Sequence, residues 1–165
     1  MAKNDITIID QAGHNVVPTR RWQTEAAATA ILAGEPVKLK ASGSPYVIPL
    51  ADGEPVIATT TAVIGIAASA STHTASADGY VDVYIPLPGV IYKAKAKTAS
   101  TADTQSEINA LCGDNVVLDL TSSTYTVDAA AGDGATKGVR IVGGDPNGSY
   151  IYFEFRPAAI EGAVA

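Results

Sequence analysis

Residues 79–98, GYVDVYIPLPGVIYKAKAKT, carry the pattern that decides the fold of this chain. Two arms of alternating side chains flank a break, PLPG, at 86–89. Alternation with a period of two is typical of a half-buried β-strand, because successive side chains point to opposite faces of the strand. The stretch therefore predicts a hairpin of two strands around a proline-bounded turn, with one apolar face on each strand.

The second arm places three lysines, Lys93, Lys95 and Lys97, on one strand face. They form the single candidate nucleic-acid site, in a chain whose formal net charge is −6. An acidic chain repels phosphate backbones, so we expect no nucleic-acid binding. We interpret the lysines as a solvated sheet edge, because charged side chains on an edge strand discourage unwanted pairing.

The composition indicates one β-rich domain. At 165 residues the chain is long enough to bury a core without a covalent staple. Its 15 glycines and 9 prolines, among many threonines and valines, indicate short strands and frequent turns. We predict a mainly β fold, either a small β-barrel or a β-sandwich, with roughly eight to ten strands, one short helix and an extended N-terminal arm.

Charge and cysteine content limit the partners and the compartment. Charged residues are 17% of the chain, below the roughly one quarter of a usual soluble domain, so either partners cover the surface or Ser/Thr faces replace charge. One cysteine excludes an intrachain disulfide and a cysteine-based zinc cluster. The N-terminus lacks the apolar core of a secretion signal, and no window approaches the roughly 18 apolar residues of a membrane helix. We expect synthesis in a cytoplasm and no membrane partner.

Residues 1–25 differ from the rest of the chain. They combine isoleucines, two arginines and the only tryptophan without a turn that folds the segment back. We interpret the segment as an extended arm before a single domain at 26–165; an edge strand of that domain is the alternative. Trp and Arg are enriched at interface hot spots, although Trp22 can also pack on its own domain. The candidate interface residues are Ile6, Ile8, Ile9, Arg20, Arg21 and Trp22.

Short elements follow in order. Residues 25–32 suit a short helix or a strand equally, and strands are predicted at 37–40 and 46–50. The apolar run 62–70, AVIGIAASA, predicts a strand covered on both faces. Gly65 within that run predicts a bulge or a close approach of another backbone segment.

One helix is expected after residue 103, in an elaboration that spans about 100–128. Thr104 and Glu107 fit the capping box, and Gly113 stands where the helix should end. We therefore predict that Cys112 lies on the buried helix face as a small hydrophobic residue. Two hairpins are predicted beyond it, at 116–128 and 139–155, the second with Ile151, Phe153 and Phe155 on one face.

Residues with catalytic or metal-binding chemistry are scattered. His14 and His73 lack carboxylate or cysteine neighbours at metal-ligand spacing. The loop GDGATKG at 132–138 does not meet the order of a phosphate-binding loop. Turn chemistry explains the aspartates of the late loops, Asp128, Asp133 and Asp145, better than a calcium site does. We expect no enzyme activity, no cofactor and no metal.

Three segments together resemble the head decoration, or capsid cement, proteins of tailed bacteriophages. They are GEPVKL at 34–39, VIGIAASAS at 63–71 and DGYVDVYIPLPGVIYKAKA at 78–96. The resemblance implies a small β-barrel of the β-tulip kind and a virion protein without enzyme activity, made in the host cytoplasm. It also implies that the protein binds the major capsid protein on the capsid exterior as a homotrimer and stabilises the expanded shell by bridging neighbouring subunits.

Two other functions are compatible with the sequence. The first is another structural role in a phage, in the tail, a fibre or the shell itself. The second is a carbohydrate-binding β module, which requires exposed aromatic side chains on a shallow platform. The candidates for that platform are Tyr80, Tyr84, Tyr150 and Tyr152.

Overall fold

The computed structural model describes residues 6–13, 16–41, 43–57 and 62–160, so His14 lies outside the described residues. Within those ranges the chain forms eleven strands and one α-helix, which confirms the mainly β prediction. The elements are β1 (Thr7–Asp10), β2 (Thr19–Thr24), β3 (Pro36–Leu39), β4 (Val47–Pro49), β5 (Val63–Ala67), β6 (Gly79–Tyr84), β7 (Ile91–Lys95), α1 (Gln105–Leu111), β8 (Asn115–Thr121), β9 (Thr124–Asp128), β10 (Val139–Asp145) and β11 (Tyr150–Phe155).

The strands form two antiparallel sheets. The large sheet has six strands in the order β1-β7-β11-β10-β8-β9, and the small sheet has five in the order β2-β6-β5-β3-β4. Both sheets curl: Ala96 forms one bridge with Val127, and Gln23 forms one with Tyr46. A single bridge is not a closed strand pair, so the architecture is sandwich-like, and the barrel alternative is not adopted.

Residues 79–98 form the two predicted strands, but the strands do not pair with each other. β6 lies in the small sheet and β7 in the large sheet, so the hairpin prediction is wrong. The predicted alternation is confirmed, because Val81 and Val83 are buried on β6 and Tyr92 and Ala94 on β7. The connection contains two prolines, which lack the N–H that a hairpin ladder needs, and it carries the chain from one sheet to the other.

Lys93 lies in the interior of a sheet. It is paired with Thr7 of β1 on one side and with Tyr152 of β11 on the other, so it does not lie on a sheet edge as predicted; Lys95 is paired with Tyr150 of β11, and Lys97 follows the end of β7. Lys93 and Lys95 are instead part of the outer face of the large sheet, opposite the buried Tyr92 and Ala94. Protection of an edge is therefore not the role of Lys93.

Two hydrophobic clusters hold the fold together. The larger contains the inner residues of the large sheet, including an aromatic trio of Tyr92, Phe153 and Phe155 with ring centroids 5.2 to 5.7 Å apart. The smaller lies within the curl of the small sheet, between valines of β3, β4 and β6, and Ile31 fills it. Burial of apolar surface at roughly 25 cal/mol per Å² makes these clusters the main source of stability.

The apolar run is covered on both faces, as predicted. All residues of β5 are buried, and they contribute to both clusters. A Cβ atom at Gly65 would overlap the carbonyl oxygen of Tyr84, and the register between β3 and β5 shifts beside this glycine. Both predicted roles of Gly65, a bulge and a close backbone approach, are therefore confirmed.

Residues 25–32 form neither the helix nor the strand that we predicted. The segment is irregular, and Ile31 inserts into the small cluster. The Ser71 side chain accepts a hydrogen bond from the Ile31 N–H at 2.9 Å, and the Ser71 N–H donates to the Ile31 carbonyl at 2.9 Å. These contacts with a distant loop replace regular pairing, because an alanine-rich segment has little apolar area with which to hold a helix against the sheet.

The helix forms with the predicted capping box. The Glu107 N–H donates to Thr104 Oγ1 at 3.3 Å, and the Thr104 N–H donates to Glu107 Oε2 at 3.0 Å. The prediction for Cys112 is wrong, because the helix ends at Leu111 and Cys112 is exposed. Its backbone is extended, so the side chain no longer continues the apolar face that contains Ile108.

Both late hairpins are confirmed. β8 pairs with β9 around Ser122 and Ser123, whose positive φ angles of 52° and 65° suit a tight hairpin turn. β10 pairs with β11, and Ile151, Phe153 and Phe155 are buried on one face as predicted.

The described part of residues 1–25 takes the edge-strand alternative. β1 is the end strand of the large sheet, and β2 is the end strand of the small sheet. Ile6 and Val17 are buried in the large cluster, and Thr24 is also buried. Deletion of residues 1–25 would therefore remove one strand from each sheet and expose both clusters.

Candidate interaction surface

β2 presents an open edge of the small sheet. It pairs with β6 along its full length, from Thr19 opposite Tyr84 to Thr24 opposite Gly79. On its other side, the described residues make one bridge, between Gln23 and Tyr46. An edge of this kind leaves backbone N–H and C=O groups available to another strand.

Arg21 lies on one face of β2 and is held by two neighbours on β6. Its guanidinium donates to Asp82 in a bidentate pair, with Nε to Oδ1 at 2.9 Å and Nη2 to Oδ2 at 3.1 Å. It also stacks 4.0 Å from the centre of the Tyr80 ring. The hydrogen bonds from Arg21 lower the pKa of Asp82, and the same pair raises the pKa of Arg21. The result is an ion pair without net charge.

Arg20 and Trp22 lie on the opposite face of β2. The Arg20 guanidinium is 4.5 Å from the centre of the Trp22 ring, and Trp22 packs against the small cluster. Both residues line a cleft of about 310 Å³ whose other walls are apolar, among them Ile64, Ile85 and Ile160. An apolar cleft with one cation at its rim suits an apolar side chain that has a negative neighbour.

A shallow depression lies on the Arg21 face. Its volume is about 470 Å³, and it is bordered by Gln23, Asp78 and Tyr80, whose exposure is 41%. The Tyr46 hydroxyl donates to Asp78 at 2.7 Å, which lowers the pKa of Asp78 and raises the pKa of Tyr46. The Ala26 N–H also donates to this carboxylate at 2.8 Å. The depression is thus polar, with one exposed aromatic ring.

The structure separates the six candidate interface residues. Arg20, Arg21 and Trp22 share β2, whereas the isoleucines belong to β1 of the other sheet. Ile6 is 3% exposed, so apolar burial places it in the core of the folded domain and not on the described surface. Ile8 packs against the large cluster, and Ile9 is 44% exposed.

The four tyrosines proposed for a sugar platform do not form one surface. Tyr80 and Tyr84 lie on β6 of the small sheet, whereas Tyr150 and Tyr152 lie on β11 of the large sheet. Tyr84 also packs against the large cluster. A single platform of all four rings is therefore excluded.

Two of the three aspartates in the late loops follow turn chemistry. Asp128 and Asp145 accept hydrogen bonds from the N–H groups of Ala131 and Asn147, as turn chemistry predicts, whereas Asp133 accepts from the N–H of Asn115 at the start of β8. The Lys137 ammonium donates to the carbonyls of Ala131 and Gly132, both at 2.6 Å, so it faces acceptors inside its own loop. Among residues 6–13, 16–41, 43–57 and 62–160, no group of three or more His, Cys, Asp and Glu side chains is placed to hold a metal ion. In the same ranges, none of the helices has the length and apolar character needed to span a membrane.

The sequence indicated only half of this surface. Alternation placed Tyr80 and Asp82 on one face of their strand, yet nothing in the pattern showed that β2 would pair with that strand. The pairing puts Arg21 directly opposite Asp82, and only the register of the sheet determines this contact. A comparison of the chain with protein-family models and with curated proteins finds no match.

Proposed function

We propose that this chain is a structural virion protein that binds the outer surface of an icosahedral phage capsid and stabilises the expanded shell. It does so by bridging neighbouring subunits of the major capsid protein, as a homotrimer on the virion exterior. A ligand that binds the expanded shell and not its dissociated subunits stabilises the shell in proportion to its saturation. No catalytic step is part of this function.

The observation that carries the proposal is the open edge of β2, with Arg20, Arg21 and Trp22 exposed or half-buried along it. The three segments that resemble decoration proteins support it, because they contain β3, β5 and β6, which are adjacent strands of the same sheet. The third segment also contains β7 of the large sheet, so the resemblance extends beyond the small sheet. In the small sheet, β2 is the strand next to β6.

The edge suggests how a capsid subunit is held. A strand of the capsid protein adds to the outer edge of β2 through backbone hydrogen bonds, as in other β-augmentation complexes. One of its apolar side chains enters the cleft beside Trp22, and a neighbouring carboxylate meets the Arg20 guanidinium. Backbone pairing supplies affinity, and the cleft supplies specificity.

Co-sedimentation with capsids tests this function. Expanded and unexpanded heads of the phage that encodes the chain are mixed with purified protein, and the bound copies are counted by quantitative mass spectrometry. We expect high occupancy of expanded heads alone. A lack of binding to expanded heads, or equal binding to both forms, would contradict the proposal.

Point variants locate the contact better than a deletion of residues 1–25, because that deletion removes a strand from each sheet. We expect Arg20→Gln to weaken capsid binding about tenfold, since it removes a cation at the rim of the cleft. Lys40→Gln is the matched control, because it removes the same charge from the same sheet and disturbs only a surface ion pair with Glu25.

A carbohydrate-binding role is the second candidate, and the depression beside Tyr80 supports it. Arg21 stacks on the Tyr80 ring, but this side chain is still 41% exposed, and one exposed ring next to paired polar groups is a minimal sugar site. A glycan array with the purified protein tests this role. Binding that is lost in Tyr80→Ala, together with no binding to capsids, would replace the capsid function with this one.

A further inference from the structure

The outer face of the large sheet carries a second group of cations. Lys95 lies opposite Tyr150, and Lys93 lies opposite Tyr152 in the pairing of β7 with β11. Arg140 lies one strand further along, on β10, and is exposed. Side chains at alternate positions of these strands share one face of the sheet, so the cations and the two tyrosines stand together.

Most basic side chains of the described residues have carboxylate or carbonyl partners, whereas these three cations have none; Arg20, which stacks on Trp22, is the one other exception. Within the part of the chain that the structure describes, Lys93, Lys95 and Arg140 are in no ion pair. Carboxylates pair with Arg21, Lys38, Lys40 and Lys97, and backbone carbonyls accept hydrogen bonds from Lys137 and Arg156. The Lys93 and Lys95 ammonium groups are therefore available to an anion, on a face that also carries Glu154 opposite Arg140 and Asp145 opposite Tyr150.

Tyr150 holds the two ammonium groups in place. The Nζ atoms of Lys93 and Lys95 lie 4.6 and 5.8 Å from the centre of its ring. On another side the ring lies against Gly148, where an added Cβ would overlap it. The ring is thus occupied by contacts within the chain. Cations held over a ring lose less side-chain freedom when they bind an anion.

We propose that this face, defined by Lys93, Lys95 and Tyr150, binds an extended acidic segment of a partner protein. Side chains two residues apart on a strand are separated by roughly 7 Å, which is also the spacing of carboxylates at alternate positions of an extended peptide. Two carboxylates of the peptide can therefore meet Lys93 and Lys95 at the same time. Lys97, the next lysine in the chain, does not contribute, because Asp119 and Asp128 neutralise it.

Three features favour an acidic peptide over other anions. The Tyr150 ring is already in contact with lysines and Gly148, so it does not offer a free face for a nucleobase or a sugar ring. The net charge of −6 repels a long polyanion, whereas screening beyond about 8 Å leaves a short local contact intact. Glu154 lies opposite Arg140 on the same face and repels a carboxylate there, which directs the segment along β7.

Fluorescence anisotropy with the full chain tests the proposal. The probe is a labelled peptide of alternating Glu and Thr; the reference probes are its Gln/Thr analogue and an oligothymidylate of equal charge. We expect the acidic peptide to bind most tightly and its affinity to fall as salt rises. Lys93→Gln/Lys95→Gln should weaken binding by about tenfold, while Lys40→Gln, on the small sheet, changes it less than about twofold.

A further variant keeps the test decisive if the double variant loses its fold. Tyr150→Leu retains both charges and removes the ring that holds them, so we expect about a threefold loss of affinity with the salt dependence preserved. Equal binding of the Gln/Thr peptide, tighter binding of the oligothymidylate, or unchanged binding in these variants would overturn the proposal. Because this face lies on the other sheet from β2, the result does not depend on the capsid function.

Discussion

The two sheets each hold a cation over a tyrosine ring, yet they leave different charges on the surface. On the small sheet Arg21 stacks on Tyr80 and is also paired with Asp82. On the large sheet Lys93 and Lys95 stack on Tyr150, and no carboxylate pairs with them in the described residues.

The cross-strand neighbour explains this difference. Asp82 lies directly opposite Arg21, whereas Thr7 and Tyr152 lie opposite Lys93 on its two sides. Directly opposed side chains in an antiparallel pair are about 5 Å apart at Cβ, so the neighbour decides whether a charge is neutralised. A tyrosine ring positions a cation, but only a carboxylate neutralises its charge.

Lys97, which follows β7, is neutralised by two carboxylates. Lys97 pairs with Asp119 at 2.7 Å and with Asp128 at 3.0 Å, and the Asp119 side chain is 4% exposed. We expect Lys97→Met to lower the free energy of unfolding several-fold more than Lys95→Met does, because it leaves the buried Asp119 carboxylate without its cation. Lys95→Met is the control, with an expected change within about 0.5 kcal/mol. Urea denaturation of both variants measures the difference, and equal stability would contradict the comparison.

The stability that the Lys97 pair contributes should depend on pH. Pairing with Lys97 lowers the pKa of Asp119 despite the opposing effect of burial, so this carboxylate contributes stability above its unfolded pKa of about 4. The contribution is lost as pH falls through the lower folded pKa. We expect the difference in free energy of unfolding between the wild type and Lys97→Met to become smaller below about pH 4. From about pH 5 to 9 this difference should stay constant. A difference that grows in acid would show that another group is responsible.

Removal of Asp82 should leave the small sheet, like the large one, with a cation on a tyrosine ring and no carboxylate partner. We expect Asp82→Asn to change stability little, because the ion pair with Arg21 is largely exposed. The freed guanidinium should add affinity for the acidic peptide, and the gain should persist when Lys93 and Lys95 are replaced by Gln. Asp103→Asn, which changes the net charge equally at another exposed site, should give no such gain in the anisotropy assay.

The converse change has the smallest expected effect. Thr7→Asp places a carboxylate opposite Lys93, on an exposed position of an end strand. We expect stability to change by less than about 0.5 kcal/mol and affinity for the acidic peptide to fall about threefold. Thr7→Asn has nearly the same shape without the charge, so equal loss in this variant would contradict an electrostatic cause.

Local patterns predicted several elements correctly. The capping box of α1 depends on residues three apart, and the apolar run of β5 depends on consecutive side chains. The hairpins of β8 with β9 and of β10 with β11 depend on neighbours in the chain and a short turn. The helix cap and the hairpins are stabilised mainly by contacts close in sequence, whereas β5 was recognised from its own apolar composition although its partners β3 and β6 are distant in the chain.

The candidate surface was only partly predictable. Trp and Arg chemistry identified Arg20, Arg21 and Trp22 on β2, but it also selected Ile6, which is buried. An apolar residue in an N-terminal segment has the same pattern whether it faces a partner or its own core. The partners of the surface on β6, Tyr80 and Asp82, were visible as one face of a strand without any indication of which strand they would meet.

Residues 79–98 show which features follow from the sequence and which depend on tertiary structure. The sequence by itself determined two strands, a break between them and the face of each that is buried, because alternation and proline act within a few residues. Only the tertiary structure decided that the strands belong to different sheets, since strand pairing depends on distant partners that compete for each edge. Within the described residues, strand pairing also places no carboxylate directly opposite Lys93 or Lys95, whereas it places Asp82 directly opposite Arg21.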